Sequence, residues 1–230
     1  MNTDPIYIFR KTWGTYQKVI KSNLMFHQET SDAVRNLLDN RSGPLNVIDL
    51  GCGDAAHIGK ILRPGQVGQY LGCDLSPYAL DVAKINLEPF GIAVKLLCRD
   101  MNAVLRTAPE NHFDLVFSGY ALHHLTIEAK QAFFTECCRV LRQNGCVILV
   151  DVMRQEGSTR PEYLDGYNGA VASEWVALTE CEREEVQEHI RNCDFPETPG
   201  DLQALAEKAG LKNCRRLEKQ TWHEAWCYQK

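Results

Sequence analysis

The segment Val47-Ile48-Asp49-Leu50-Gly51-Cys52-Gly53-Asp54-Ala55 restricts this chain more than any other, because an apolar run closes on an acid and then on a Gly-x-Gly turn. Such a run reads as a buried strand feeding a tight nucleotide-binding loop and a helix that starts near Ala55. Gly51 and Gly53 carry no Cβ, so a ligand can come close to the backbone, and the first N–H groups of the helix point to the same place. An ordinary strand-to-helix turn has the same pattern and stays open as the alternative at this point.

Charge narrows what such a loop can hold. Gly51-x-Gly53-x-x-Ala56 also satisfies a loose dinucleotide pattern. A pyrophosphate at this helix start would meet carboxylates at Asp49 and Asp54, and like charges at close range disfavour it. An ammonium and a sulfonium suit these acids better. The pattern therefore points to S-adenosylmethionine, with a nicotinamide dinucleotide as the runner-up.

Further acids stand at the ends of successive apolar runs. Tyr70-Leu71-Gly72-Cys73-Asp74-Leu75 predicts a second strand, with Ser76 as N-cap and Pro77 in the first turn of the next helix. Asp74 falls 25 residues after Asp49, near the spacing at which an acid at a second strand end grips two ribose hydroxyls. A third run, Val94 to Cys98, leads into Arg99-Asp100-Met101. Asp100 is suited to accept from an adenine amino group, and Met101 offers a soft apolar surface for the ring. A fourth run, Phe113 to Ser118, is followed by Gly119-Tyr120-Ala121-Leu122-His123-His124-Leu125, whose histidines are expected to begin the next helix. The fifth, Gly145 to Asp151, follows a helix expected to end in Leu141-Arg142-Gln143-Asn144. Singly, each acid reads as a solvated loop residue; their recurrence at strand ends does not.

At these residues the chain resembles the class I S-adenosylmethionine-dependent methyltransferases. Val47 to Ala55 looks like the family's first motif, Asp74 like its ribose-binding acid, and Asp100-Met101 like its adenine contact. Phe113 to Leu125 looks like its fourth motif with the following helix, and Leu141 to Val152 is similar to the segment carrying its fifth strand. The likeness spans roughly residues 45 to 152. Beyond it, Tyr163 to Trp175, His189 to Pro196 and Trp222-His223 look like the C-terminal half of small bacterial members. The resemblance implies S-adenosylmethionine as cofactor and S-adenosylhomocysteine as product. It implies cofactor contacts at Asp49, Gly51, Cys52, Gly53, Asp74, Leu75, Asp100, Met101 and Ser118, with Tyr16 added from the N-terminal helices. Asp54 departs from the small residue usual after the second glycine, which leaves contacts at that position in doubt.

The expected fold is α/β: a Rossmann-like, seven-stranded mixed sheet, mostly parallel with an antiparallel C-terminal strand, and helices on both faces. At 230 residues one domain buries a sizeable core. Residues 1–44 read as a helical cap, with Ile6, Phe9, Trp13, Tyr16 and Ile20 at helical spacing, and 45–152 as the cofactor-binding core. Residues 153–200 read as a helical insertion acting as substrate lid, and 201–230 as a closing helix and hairpin, strands being expected at Leu211–Leu217 and Ala225–Tyr228.

Ten cysteines would mean disulfides in a short secreted chain, yet Cys73, Cys98 and Cys146 fall in elements expected to be buried, where a thiol packs as a small hydrophobe. No Cys-x-x-Cys pair occurs, and His189 and Cys193, one helical turn apart, supply only two ligands, so no metal is expected. The amino terminus shows neither a charged region before an apolar core nor a stretch of membrane-spanning length, so a soluble, cytoplasmic chain is expected. A formal charge of −5 without a basic run argues against nucleic acid. Expected partners are a small-molecule acceptor and, for the assembly, a second copy in a homodimer, with no membrane partner.

Methyl transfer from a sulfonium is an in-line displacement, so the protein has to align a nucleophile and, for an amine or phenol, take its proton. Candidates for the proton are His123, His124 and His27, with Tyr120 beside them; each also has the plainer reading of a structural residue. Trp13, Tyr163, Tyr167, Trp175 and His223 are candidates for the acceptor pocket, although most large aromatics at helical spacing are core. The run Glu180, Glu182, Glu184, Glu185 and Glu188 reads as a solvated helix face. The transfer to nitrogen or oxygen of a small molecule leads; an NAD-dependent oxidoreductase and a non-catalytic cofactor-binding module are the alternatives.

Overall fold

The computed structural model describes the backbone of residues 5–41 and 43–230 and the side chains from Trp13 on, apart from Ser42; the expected core positions Ile6 and Phe9 lie outside the described side chains. Two helices, α1 (Pro5–Lys21) and α2 (His27–Leu38), precede the sheet. Then strand and helix alternate: β1 (Leu45–Leu50), α3 (Ala56–Ile61), β2 (Val67–Asp74), α4 (Pro77–Leu87), β3 (Ala93–Cys98), α5 (Met101–Thr107), β4 (Phe113–Gly119), α6 (Ile127–Val140) and β5 (Leu141–Val152). After β5 come α7 (Arg160–Glu174), α8 (Glu180–Cys193) and α9 (Pro199–Lys208), and the chain closes with β6 (Lys212–Lys219) and β7 (His223–Gln229).

Among the described residues seven strands form one sheet in the order β3-β2-β1-β4-β5-β7-β6, in which β7 alone runs against its neighbours. The chain builds outward from β1 through β2 to β3 and then crosses to β4 on the other side. Strand order therefore reverses between β1 and β4, where ligands of open α/β sheets bind beyond the carboxyl ends of the strands.

Period-two alternation sorts the strand side chains into two apolar layers. Ile48, Leu50, Val116, Val147 and Leu149 point toward Phe133, Phe134, Val140 and Leu202 of α6 and α9. Val47, Leu115, Phe117, Ile148 and Val150 point toward Val34, Leu38, Ile58 and Ala83 of α2, α3 and α4. A third cluster forms over the carboxyl edge, where Tyr163, Tyr167, Val171, Trp175, Leu178 and Ile190 of the 160–190 region pack on Val19 of α1 and Val152. No helix among the described residues is long and apolar enough to cross a membrane.

Several expectations need correcting. His123 and His124 do not begin a helix; they sit in a 3-10 turn, Leu122–His124, and α6 starts later behind the N-cap Thr126, whose hydroxyl accepts from Ala129 N. The helix before β5 ends at Val140, because Leu141 already pairs with Phe113, and Asn144 turns left-handed before Gly145. Cys98 is exposed, since β3 is an edge strand, whereas Cys73 and Cys146 are buried as expected. The closing strands run longer than expected, since pairing extends from Lys212 to Gln229 across the hairpin.

Phe134 is fully buried, edge-on to Phe133 and 5.4 Å from the Tyr228 ring. Phe134→Ala is expected to cost about 3–5 kcal/mol, read as a lower urea midpoint at unchanged slope. Ile85→Ala, at a position 67% exposed, should shift the midpoint little.

Candidate functional site

The loop after β1 is shaped by the end of β2. Gly51 N and Cys52 N both donate to Cys73 O at 2.9 Å, and Gly53 N donates to Asp74 Oδ2 at 2.9 Å. The other oxygen of Asp74 accepts from Ser76 N at 2.8 Å, while Ser76 caps α4. Gly51 has φ +74°, and a Cβ there would stand 2.5 Å from Ala121 Cβ, so the loop lies directly against the turn after β4. At Gly53, φ +52°, a Cβ would meet nothing within 4 Å; that side of the loop faces open space.

Acids surround this space. Asp49 is buried, its Oδ2 accepting from Tyr70 OH at 2.6 Å and its Oδ1 having no hydrogen-bond partner. Burial pushes its pKa up to about 7, against the Tyr70 bond and with a contribution from Asp74. Burial likewise raises Asp74, against its backbone N–H partners. Asp54, also buried, accepts from Ala56 N at 3.0 Å and from Gln17 Nε2 at 3.1 Å, which ties α1 to the loop. Tyr16 is raised by burial, then by Asp54 and Asp74, so α1 presents it to the same acids. Trp13 stands edge-on to Tyr78 at 5.8 Å over the start of α4.

The remaining expected cofactor contacts divide. Met101 reaches the loop, its Cε lying 3.5 Å from where a Gly51 Cβ would be. Cys52 is buried within the loop. Asp100 and Leu75 are exposed at the rim, and the Asp100 carboxylate caps α5 through Ala103 N at 2.8 Å. Ser118 is fully buried and its hydroxyl donates to Leu50 O at 3.0 Å, so it braces β4 against β1.

Two groups of histidines flank the end of β4. In the first, the His27 ring lies 4.5 Å from Tyr120 and 5.2 Å from His57, and none of the four ring nitrogens of His27 and His57 has a hydrogen-bond partner. Burial pushes His27 down to about 4, with Lys60 acting the same way. Tyr120 adopts φ 55°, a conformation strained for a bulky residue, held by Tyr120 N to Val150 O at 2.7 Å and by its hydroxyl donating to Met25 O at 2.5 Å. Phe26, the N-cap of α2, and Ala55, the N-cap of α3, are left-handed as well. His223 bonds Tyr167 OH through Nε2 at 2.9 Å.

In the second group, His123 Nδ1 meets Asp151 Oδ1 at 2.5 Å while His123 N donates to Asp151 Oδ2 at 3.0 Å. Its Nε2 faces Asp194 Oδ1 at 3.6 Å. Burial works to lower its pKa, and Asp151 and Asp194 outweigh it, so the net direction is upward. The half-exposed His124 ring lies 3.8 Å from that of His123 and bonds Cys193 O through Nδ1 at 3.1 Å. Burial, then the neighbouring His123 and His189, pushes it well down.

Comparison with known proteins now bears on these features. Residues 47–145, which include the glycine loop, Asp74, Asp100 and both histidines after β4, match a family model described as Methyltransferase domain. By this segment the chain resembles the S-adenosylmethionine-dependent methyltransferases. An uncharacterized methyltransferase of Synechocystis is 35% identical over 108 residues, 47% of either chain. The ubiquinone biosynthesis O-methyltransferase of Cereibacter sphaeroides is 26% identical over 73% of this chain and 60% of its own length. Among solved structures, a protein of Thermotoga maritima described as a possible histamine N-methyltransferase superposes with TM-score 0.65 at 15% identity over 98% of this chain and 99% of that one, a likeness of fold. The chain spans between 33% and 66% of the length of the first curated relatives it matches.

The methyltransferase domain's cofactor is S-adenosylmethionine, and the loop fits it: an unpaired buried carboxylate oxygen and an open glycine face suit an amino-acid group bearing an ammonium. Asp54 joins α1 to the loop, so the departure from a small residue has a structural consequence of its own. The expected pocket aromatics Tyr163, Tyr167 and Trp175 lie in the apolar core over the carboxyl edge, with Trp222 packed among them. His57, Asp151 and Asp194 were not expected at the site. Asp151 was legible as the acid ending the fifth apolar run; His57 and Asp194 had no signal beyond lying beside a glycine loop and a Pro-rich break.

Because His27 is held neutral by burial, its protonation opposes folding below its unfolded value near 6.5 and down to about 4. His27→Gln is therefore expected to flatten the fall of melting temperature between pH 6.5 and 4.5 relative to the unsubstituted protein, with the two curves parallel above pH 7. An unchanged slope would place the titrating group elsewhere.

Proposed function

We propose that the domain transfers a methyl group from S-adenosylmethionine to a nitrogen or oxygen of a small-molecule acceptor in the cytoplasm. The observation that carries this reading is Asp49, a buried carboxylate with one unpaired oxygen at the foot of a glycine loop whose outer face is open. In this reading Asp49, Gly51, Cys52 and Gly53 hold the methionine part, Asp74 and Leu75 the ribose side, and Asp100 and Met101 the adenine. Tyr16 and Trp13 cover them from α1, and Ser118 fixes the floor. When bound, the cofactor supplies an electrophilic methyl carbon. The acidic loop disfavours a dinucleotide pyrophosphate by simple charge repulsion.

The chain's own task is to bring the acceptor atom to about 3 Å from that carbon, aligned and free of water. Gly51 lies against Ala121, so the turn carrying Tyr120, His123 and His124 adjoins the loop to which this reading assigns the methionine part. Of the candidate proton acceptors, His27 has both nitrogens free of any bond and is neutral at pH 7. The nitrogens of His123 both face carboxylates, so His27, against Tyr120, is favoured as the base and His123 with His124 as the wall. His223, Tyr167, Tyr163 and Trp175 would back the acceptor space. An O-methyltransferase of ubiquinone biosynthesis and a possible histamine N-methyltransferase among the similar proteins accord with a flat or amine-bearing acceptor. Ten thiols, all unpaired, suit a reducing compartment.

Calorimetric titration with S-adenosylhomocysteine tests the reading. An ammonium beside Asp49 favours the ionised carboxylate, whose pKa in the free protein is raised to about 7. Affinity should thus level off about one unit above that pKa and fall as pH drops below it, by up to about tenfold per unit. Asp49→Asn should weaken binding and remove that dependence; Asp100→Asn, which keeps the helix cap, should weaken it without changing the pH profile. No affinity of the unsubstituted protein for S-adenosylhomocysteine would end the proposal. Mass spectrometry for one added methylene in an incubated metabolite extract then finds the acceptor.

A further inference from the structure

Four side chains converge where the turn after β4 meets the end of α8. His123, His124 and Asp194 each offer a ligand atom, all within 4.8 Å of one another. The Nε2 of His189, on α8, lies 3.9 Å from Asp194 Oδ1, and its ring stands 5.2 Å from that of His124. We infer that His123, His124 and Asp194 ligate a divalent transition-metal ion of the zinc class, with His189 within reach of the fourth position.

The distances are those of ligands rather than of hydrogen bonds. Asp194 Oδ1 is 3.6 Å from His123 Nε2, 3.7 Å from His124 Nδ1 and 3.9 Å from His189 Nε2. Zinc bonded to nitrogen and oxygen at about 2.0–2.1 Å sets tetrahedral edges of roughly 3.4 Å, so the three separations need to close by only a few tenths of an ångström. Asp194 Oδ1 is buried and has no hydrogen-bond partner although three imidazoles surround it. The second oxygen of Asp194 is held by Tyr163 OH at 3.3 Å, which fixes the carboxylate's direction.

The surroundings of His123 point the same way. Asp151 grips Nδ1, and its carboxylate is anchored in turn by Val152 N at 2.9 Å and His123 N at 3.0 Å. A carboxylate on one imidazole nitrogen places the proton there and leaves the lone pair of the other free for a metal. In neutral His123 that lone pair confronts the Asp194 oxygen, a repulsion that a cation between them converts into two bonds. Asp151 and Asp194 are two carboxylates, and the buried Lys130 nearby is taken up by Glu197 Oε1 at 2.8 Å and by Phe195 O. The segment is already docked, since Phe195 N donates to His123 O at 2.9 Å. His124 would exchange its present bond to Cys193 O for the metal. The ion would then fasten the end of α8 to the β4 edge.

Metal uptake is measured without any methyl donor, so it is decided independently of the proposed activity. Chelator-treated protein is titrated with Co2+ and with Zn2+. The inference expects one equivalent bound, the intense visible bands of four- or five-coordinate cobalt, and a melting temperature raised by Zn2+ and returned by chelator. Asp194→Asn and His124→Ala should abolish the bands, and Asp151→Asn should weaken affinity by about 10- to 100-fold. His124 is half-exposed, so its variant retains the fold even where Asp194→Asn does not, and circular dichroism checks both. Absence of stoichiometric uptake, a six-coordinate spectrum, or bands unchanged in folded His124→Ala would overturn the inference.

Discussion

The carboxyl end of β2 bends the chain after β1, and the site follows from that bend. Three amides in succession, those of Gly51, Cys52 and Gly53, are drawn to Cys73 O and Asp74 Oδ2. Pulling consecutive amides to one side demands positive φ at two of them, which glycine adopts freely and other residues do not. A side chain at Gly51 would also collide with Ala121. The parallel register that sets Leu50 opposite Cys73, and Asp49 opposite Phe117 on β4, thereby determines where the glycine loop and the turn at Tyr120 touch. The strand order that places β2 and β4 on either side of β1 is thus a condition for the loop's shape as well as for the crevice above it.

The segment between α8 and α9 is held by cations from α6, α7 and the connection between β5 and α7. Lys130 of α6 is 1% exposed and spends its charge on Glu197 and the Phe195 carbonyl; Arg154 reaches Pro196 O at 2.7 Å; Arg160 donates to Asp194 O at 2.7 Å and lies 4.4 Å over the Phe195 ring. A buried ammonium is tolerated only when paired in this way. These bonds fix residues 194–197 and hence bring Asp194 beside His123. Each helix around this segment, α7, α8 and α9, opens with a Thr that bonds reciprocally with an acid three residues on. Such boxes define where helices begin without spending any apolar residue, which suits a region whose apolar residues are committed to one shared cluster.

The alternating half of the fold was legible because its signals are local: apolar runs of strand length, a capping Ser76-Pro77, glycines at a turn. The glycine loop and the strand-end acids belong to that half. What escaped the sequence is set by partners distant along the chain. His123 and Asp194 are 71 positions apart, and nothing in either neighbourhood announces the other. Asp151 had a local signal, the acid at a strand end, but its role depends on the amide and ring of His123. Tyr163, Tyr167 and Trp175 carried a fair signal for burial; whether a buried aromatic faces a ligand or another aromatic is decided by where β7 and Trp222 come to rest. The capping boxes at Thr159, Thr179 and Thr198 were readable and would have sharpened the starts of α7 to α9.

Buried polar atoms without partners are costly, on the order of 1–3 kcal/mol each, and several of them stand at one end of the sheet. The nitrogens of His27 and His57, the Nδ1 of His223, and one oxygen each of Asp49 and Asp194 all lie near the carboxyl ends of β1, β4 and β5. Two left-handed caps, Phe26 and Ala55, and the strained Tyr120 lie among them. Strain and unmet bonding at the same place are not what packing alone would retain, because replacing such groups by apolar ones of similar shape is often neutral or stabilising. The two apolar layers flanking the sheet supply the stability against which these costs are set. Polar groups kept at such expense, around a loop whose glycines leave one face open, are the ones that the proposed cofactor and the inferred metal ion would satisfy.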